Sequence, residues 1–175
     1  MQSFPLPQLV SLTPSHGASL ERFLSEFDDR RDELHGYFCD RHLSVAEVSE
    51  TLKAWEVGER LPEGWVECTT RFWRHEDDLQ GVINIRHQLN PHLKEVGGHI
   101  GYCVAPSARR RGVATEMLRA ALLVCSGLGI QRVLITCDAE NLASLKTIER
   151  CGGVLEREGW SELAKKLQRW YWVEL

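Results

Sequence analysis

The chain has 175 residues, 43% hydrophobic and 26% charged, which is the length and balance of one soluble domain, residues 1–175, able to bury a full core. With 21 Lys and Arg against 25 Asp and Glu, the formal net charge of −4 argues against a nucleic-acid protein that works by neutralising phosphates. No apolar run approaches the roughly 20 residues of a spanning helix, and residues 1–13 lack the basic-then-apolar order of a secretory leader, so a cytoplasmic protein with no membrane partner is expected.

In chain order, residues 9–12 form a short apolar stretch closed by Thr13-Pro14, the pattern of an edge strand. Leu20, Phe23, Leu24, Phe27, Arg31 and Leu34 then recur at helical spacing, which predicts an amphipathic helix over 18–34. Ser44-Val-Ala-Glu47 has the spacing of a capping box and opens a second helix through Trp55, ended by Gly58 and Pro62-Glu-Gly64. Alternation over 65–73 and 81–87, with polar Glu76-Asp-Asp78 between, predicts an antiparallel hairpin, and 98–104 a third strand stopped by Pro106. A helix of about 15 residues follows, its stripe carried by Ala114, Met117, Leu118, Ala121, Leu122, Cys125 and Leu128. Arg132-Val-Leu-Ile-Thr-Cys137 reads as a buried strand parallel to 98–104, and 141–150 as a helix ended by Gly152-Gly153. Val154-Leu155 and 169–173 supply closing strands, with 158–168 a polar excursion, either helix or loop.

The six cysteines, Cys39, Cys68, Cys103, Cys125, Cys137 and Cys151, include no pair at zinc-knuckle or redox spacing, so a reduced compartment and no metal are expected. The segment 104–115 is more informative because it joins a strand end to a helix start. The first helical turn presents unpaired amides and the positive end of the dipole, Gly112 and Ala114 leave room for a diphosphate, and Arg109, Arg110 and Arg111 add charge. It lacks the Gly-Lys-Ser/Thr ending of a nucleotide P-loop and is not a GxGxxG dinucleotide turn.

At these residues the chain resembles the GNAT superfamily of acetyl-CoA-dependent N-acetyltransferases: Arg109, Gly112 and Ala114 match its diphosphate pattern, Val104 and Pro106 the approach to it, and Asn141 with Ser144 its second helical motif. Asn84-Ile-Arg-His87, Leu89-Asn90 and Gly97-Gly-His-Ile-Gly-Tyr102 narrow the likeness to an uncharacterised branch of predicted bacterial acetyltransferases. The resemblance implies a GNAT-like α/β fold, a mixed and mostly antiparallel central sheet flanked by helices, with one parallel strand pair joined by a crossover helix. It further implies acetyl-CoA as cosubstrate, with the backbone of Cys103 and Val104 along the pantetheine and Arg109, Arg110, Arg111, Gly112, Val113, Ala114 and Thr115 around the diphosphate. Asn141 and Ser144, with Lys146 a weaker candidate, would meet the pantetheine or phosphate from the other side; Asn141 also suits a helix N-cap.

Acetyl transfer to an amine needs a neutral amine, a donor for the developing oxyanion and help for the departing thiolate. The resemblance implies that the oxyanion donor is the amide of Val104 or its neighbour. His99, on the strand leading there, is the candidate base, with a histidine merely bonded within the sheet as its alternative. Many GNAT enzymes carry an acidic Tyr seven positions after the Asn; Ile148 stands there, and Gly152-Gly153 replaces the usual Gly-Phe. Tyr102 and Cys137 are polar neighbours on the two strands. Between residues 18 and 60 eleven acidic residues face six basic ones, which fits a cationic small-molecule or peptide amine as acceptor or else a solvated helix face. The competing expectation is a non-catalytic acyl-CoA-binding sensor or interaction module.

Overall fold

The computed structural model describes residues 8–27, Leu34 and 43–175. Strands β1 (Gln8–Val10), β2 (Cys68–His75), β3 (Asp78–Arg86) and β4 (Ile100–Val104) form one antiparallel sheet in that order. The β2–β3 hairpin starts three residues later than the alternation suggested and turns over Glu76 in the left-handed region, φ 53°. Helix α1 (Gly17–Ser25) lays Leu20 and Phe23 on the sheet, with the Phe23 ring edge-on to Phe72 at 6.3 Å. The helix predicted over 18–34 thus ends at Ser25, and 28–33 lie outside the described residues.

Helix α2 (Val45–Glu56) opens on the expected capping box: the Glu47 amide donates to Ser44 Oγ at 3.3 Å, and the Ser44 amide to Glu47 Oε2 at 2.7 Å. Helix α3 (Pro91–Glu95) was not anticipated, although Asn90 as N-cap and Pro91 at the first helical position are the residues that start helices. Helix α4 (Val113–Gly127) buries Met117, Leu118, Ala121 and Cys125 completely; it seats so close to β3 that a Cβ at Gly81 would lie 2.5 Å from Met117 Sδ.

Beyond α4, β5 (Arg132–Asp138), helix α5 (Leu142–Arg150), β6 (Val154–Ser161) and β7 (Lys166–Glu174) complete the chain, the strands forming a second antiparallel sheet ordered β5-β7-β6. The excursion read over 158–168 is instead a long β6–β7 hairpin. β6 is an edge strand exposed along nearly its whole length, so its residues carry no apolar alternation to read.

The largest departure from expectation is that there are two sheets. The chain crosses from β4 through α4 to β5, but all described ladders are antiparallel, and β4 and β5 lie at the edges of different sheets rather than pairing in parallel. They meet at a joint. The His99 amide donates to the Leu134 carbonyl at 2.7 Å, and the Leu134 amide donates to the His99 ring at Nδ1, 2.9 Å. Gly98 (φ +61°) lets the backbones approach this closely, since a Cβ there would sit 2.3 Å from the Leu134 oxygen. An imidazole therefore takes the hydrogen bond that a neighbouring strand would take in a ladder.

Candidate functional site

The loop after β4 is built as an anion cradle. Pro106–Ala108 make one 3-10 turn, Arg110 (φ 63°) and Gly112 (φ 82°) are both left-handed, and no side chain among the described residues caps α4. Left-handed residues in a loop can turn neighbouring amides toward one face. Among the described residues a Cβ on Gly112 would find no atom within 4 Å, which leaves the space above the helix start open to a ligand as far as they reach. Arg110 and Arg111 are exposed; Arg109 is half-buried, its Nε donating to the Val104 carbonyl at 3.1 Å. Val113 and Ala114 lie in the first turn, but the Thr115 side chain is buried and its amide already bonds the Gly112 carbonyl at 3.0 Å. The residues at hand fit a diphosphate, through Arg109, Arg110, Arg111 and the backbone from Gly112 to Ala114.

Sequence reasoning missed what holds this loop. The Glu26 carboxylate, at the end of α1, accepts from the Ser107 amide and hydroxyl, both at 2.8 Å. In the sequence Glu26 is one more charge on an acidic stretch, and no local pattern marks it.

The edge of β4 that pairs with no strand among the described residues leads away from the cradle. In the antiparallel register alternate residues turn their backbone groups to β3: Ala105 donates to Gln80 at 2.9 Å and Arg86 to His99 at 2.8 Å. Gly101 and Cys103 follow suit, and Ile100, Tyr102 and Val104 turn theirs to the gap. Of the two residues expected along the pantetheine, Val104 turns its backbone to the gap and Cys103 turns its own to Val82.

At the joint, His99 is 7% exposed, and burial, with the Arg86 charge beside it, pushes its pKa down to about 4. The ring is neutral with its proton on Nε2, because Nδ1 accepts from Leu134. Taking a proton at Nδ1 would break that bond. Arg86 braces the same turn, its Nη1 donating to the carbonyls of Gly97 and Gly98 at 3.0 and 3.3 Å.

On the far side of the gap Asn141 caps α5, its Oδ1 accepting from the Ser144 amide at 3.0 Å. Ser144 Oγ lies 2.9 Å from the Tyr102 hydroxyl, so β4 and α5 touch through these two groups. Burial pushes the Tyr102 phenol up to about 12 against the Ser144 hydrogen bond, and the neighbouring Cys137 thiol up to about 11. Lys146 is exposed. Ile148 is fully buried, and a Cβ at Gly153 would lie 2.4 Å from its Cγ2 and 2.9 Å from its carbonyl oxygen. The two departures from the family pattern thus touch: the helix closes over a glycine where a phenylalanine has no room.

Against known proteins, the family model described as an acetyltransferase (GNAT) domain matches residues 9–154. The chain belongs to the GNAT acetyltransferase family. Mycothiol acetyltransferase of Mycobacteroides abscessus is 28% identical over 99 residues, 55% of this chain and 33% of that protein, so the GNAT chain spans about a third of this curated relative. Its fold is that of the microcin C7 self-immunity acetyltransferase MccE, solved with acetyl-CoA and AMP (TM-score 0.67, 15% identity, covering 97% of this chain and 92% of that one). It is shared by the ribosomal alpha-N-protein acetyltransferase RimL, solved with coenzyme A (0.65, 18%, 97% and 94%). A GNAT acetyltransferase from Streptococcus pneumoniae is similar too (0.62, 17%, 97% and 99%).

Among the described residues no group of three or more His, Cys, Asp or Glu is placed to hold a metal, and no helix is long and apolar enough to cross a membrane. Cys68, Cys103, Cys125 and Cys137 are buried free thiols and Cys151 a half-buried one; Cys39 lies outside the described residues. Of the acidic stretch, Glu26 holds Ser107, Glu47 caps α2 and Glu56 accepts Arg71 at 2.6 Å, while Asp28, Asp29, Asp32, Glu33 and Asp40 lie outside the described residues.

Proposed function

We propose that this GNAT domain moves an acetyl group from acetyl-CoA to a primary amine by direct attack on the thioester. The observation that carries the reading is the anion cradle at Arg109–Gly112–Ala114, set at the end of β4, whose far edge pairs with no strand among the described residues. Acetyl-CoA supplies the activated acetyl group. The cradle holds its diphosphate, the backbone of Tyr102 and Val104 lines the pantetheine, and the Val104 amide donates to the oxyanion. His99 keeps the joint rather than taking a proton, since its one lone pair is committed to Leu134. The ammonium proton then leaves through water. Ile148 offers no proton, and the Ser144 hydroxyl is the donor for the departing sulfur. No metal enters this reading.

The test is thermal. Coenzyme A should raise the melting temperature of the chain, by about 2.7 kcal/mol of stability at a hundredfold excess over Kd. Gly112→Asn, which tolerates the left-handed backbone but places a side chain in the cradle, should fold normally and lose that shift. A full shift in the variant overturns the assignment. A second reading, an acyl-CoA-binding module without turnover, draws on Ile148 and on the committed His99. It expects the same shift and no thiol release from acetyl-CoA with any of a peptide N-terminus, a polyamine or an aminoglycoside.

A further inference from the structure

We propose that Glu26 is a positioning residue for coenzyme A: by clamping Ser107 from the end of α1 it holds the turn before the cradle, and with it the left-handed backbone at Arg110 on which the cradle depends. This role rests on the acetyl-CoA reading above and adds to it what keeps the empty cradle in binding shape.

The loop divides at Arg109. Up to that residue every amide is spoken for: Ala105 donates to the Gln80 carbonyl at 2.9 Å, Ala108 to the Ala105 carbonyl at 2.8 Å and Arg109 to the Pro106 carbonyl at 3.3 Å, while Pro106 has no hydrogen to give. Beyond it, the amides of Arg110, Arg111, Gly112, Val113 and Ala114 have no partner among the described residues. Ser107 belongs to the first group only because of Glu26. Ala105, which precedes the 3-10 turn, offers the turn no capping side chain, and the Ser107 amide and hydroxyl both donate to the Glu26 carboxylate at 2.8 Å. A carboxylate 81 positions away thus caps a turn that a side chain at its own start would ordinarily cap.

Both ends of the clamp are anchored. Glu26 is followed by Phe27, which is fully buried and edge-on to Phe23 at 5.2 Å, and Phe23 in turn meets Phe72 of β2. On the other side Ala105 and Ala108 are buried. The turn is therefore fixed to the first sheet through α1 as well as through β4. Just downstream Arg110 takes φ 63°, a region disfavoured about five- to thirtyfold for a residue with a Cβ. Such a backbone persists only where its flanks over-determine it. Gly112 supplies one flank without a steric penalty, and the clamped turn supplies the other. Without the clamp Arg110 would relax, the fraction of molecules with a formed cradle would fall, and the apparent affinity would fall by the same factor. The charge of Glu26 itself repels an anion, so a purely electrostatic role would have the opposite sign.

Calorimetry with coenzyme A and with pantetheine, which lacks the diphosphate, tests this role. Glu26→Ala should weaken coenzyme A about five- to tenfold and leave pantetheine within about twofold. Glu26→Gln, whose side-chain oxygen can accept from the Ser107 amide while its nitrogen donates to Ser107 Oγ, should bind coenzyme A at least as tightly as wild type. In the Arg110→Gly background, where the left-handed backbone needs no support, Glu26→Ala should weaken coenzyme A by less than about twofold, whereas general damage to the fold would carry over undiminished. Glu26→Ala binding coenzyme A like wild type overturns the proposal. So does an equal loss of both ligands, a Glu26→Gln variant as weak as Glu26→Ala, or an undiminished loss in the glycine background. Should Glu26→Ala not fold, Ser107→Ala, which keeps the amide bond and removes the hydroxyl one, must weaken coenzyme A and spare pantetheine, and unchanged binding overturns the proposal. Failure of coenzyme A to bind the wild type would strike the acetyl-transfer reading itself, whereas tight binding by wild type and Glu26→Ala alike strikes Glu26 alone.

Discussion

At the loop 109–112 the groups offered to a ligand are backbone amides, an exposed glycine and guanidinium groups; at the other end of the gap they are side chains that already have partners in the fold, the His99 ring accepting from the Leu134 amide and the Tyr102 and Ser144 hydroxyls sharing a hydrogen. The first arrangement depends on where a helix begins and on which residues tolerate a left-handed backbone, both written locally in the sequence. The second depends on which side chain meets which across elements 35 to 42 residues apart. The cradle can therefore be recognised from its motif, and the reacting end has to be built before its chemistry can be assigned.

The largest expected effect breaks the joint between these regions. Gly98→Ala must accommodate a Cβ 2.3 Å from the Leu134 carbonyl oxygen on a backbone with φ +61°, and neither the oxygen nor the ladder behind it can retreat. A loss of about 3 kcal/mol or more is expected, lowering the melting temperature by roughly 6–12 °C for a domain of this size. A melting temperature within 2 °C of wild type, on the order of a surface substitution, would mean that β4 and β5 are not held as described.

Next comes the charge at the cradle. Arg109→Ala should weaken coenzyme A about tenfold, the worth of a charge-assisted phosphate contact, and leave pantetheine, which lacks the diphosphate, nearly unaffected. Because Arg109 also bonds the Val104 carbonyl, the competing outcome is equal loss of both ligands, which would make it a brace for the strand end. Calorimetry with the two ligands separates the cases.

The same contrast governs what the sequence disclosed. The capping box at Ser44 and Glu47, the hairpin and the start of α4 at Gly112 were legible because each is decided by residues within a few positions. The β6–β7 hairpin was not: on an exposed edge strand with Val154 at 69% exposure, polar and apolar residues meet the same solvent. Nor was the division into two sheets. The run 98–104 reads as an ordinary strand, and only its contact with Leu134 shows that Gly98 and His99 belong to a joint and that pairing stops there. The base expected at His99 and the Cys103 backbone expected along the ligand came from position in the chain, whereas the ring tautomer and the strand register are set by partners elsewhere.

His99 gives a pH test of that joint. Its pKa is about 4 in the folded chain against 6.5 for an ordinary histidine, so between those values the unfolded chain binds more protons. The stability this neutral ring contributes is complete above pH 6.5 and is lost as pH falls toward 4, by on the order of 1–2 kcal/mol after screening by solvent. His99→Asn keeps an acceptor for the Leu134 amide without a titrating ring, and should flatten the acid slope of melting temperature while costing little at pH 7. An unchanged slope would place the ring in water. Measured with an accepting amine, an unchanged acid limb of the rate profile in the same variant would agree with a proton that leaves through water.

The smallest effect sits at the cradle, where Arg110 holds a left-handed backbone, φ 63°, that suits glycine better. Releasing that strain is worth about 1–2 kcal/mol, but a glycine costs about 0.5–1 kcal/mol in unfolded-chain entropy, so Arg110→Gly should stabilise the fold by at most about 1.5 kcal/mol. Its effect on coenzyme A tells the two uses of the residue apart. The guanidinium is exposed and removable, while the left-handed backbone that turns the neighbouring amides is retained by the glycine. If the amides carry the diphosphate, the variant should melt slightly higher and bind coenzyme A within about threefold of wild type. A tenfold loss there, recovered in Arg110→Lys, would show instead that the cradle depends on the charge of Arg110 and that its shape is secondary.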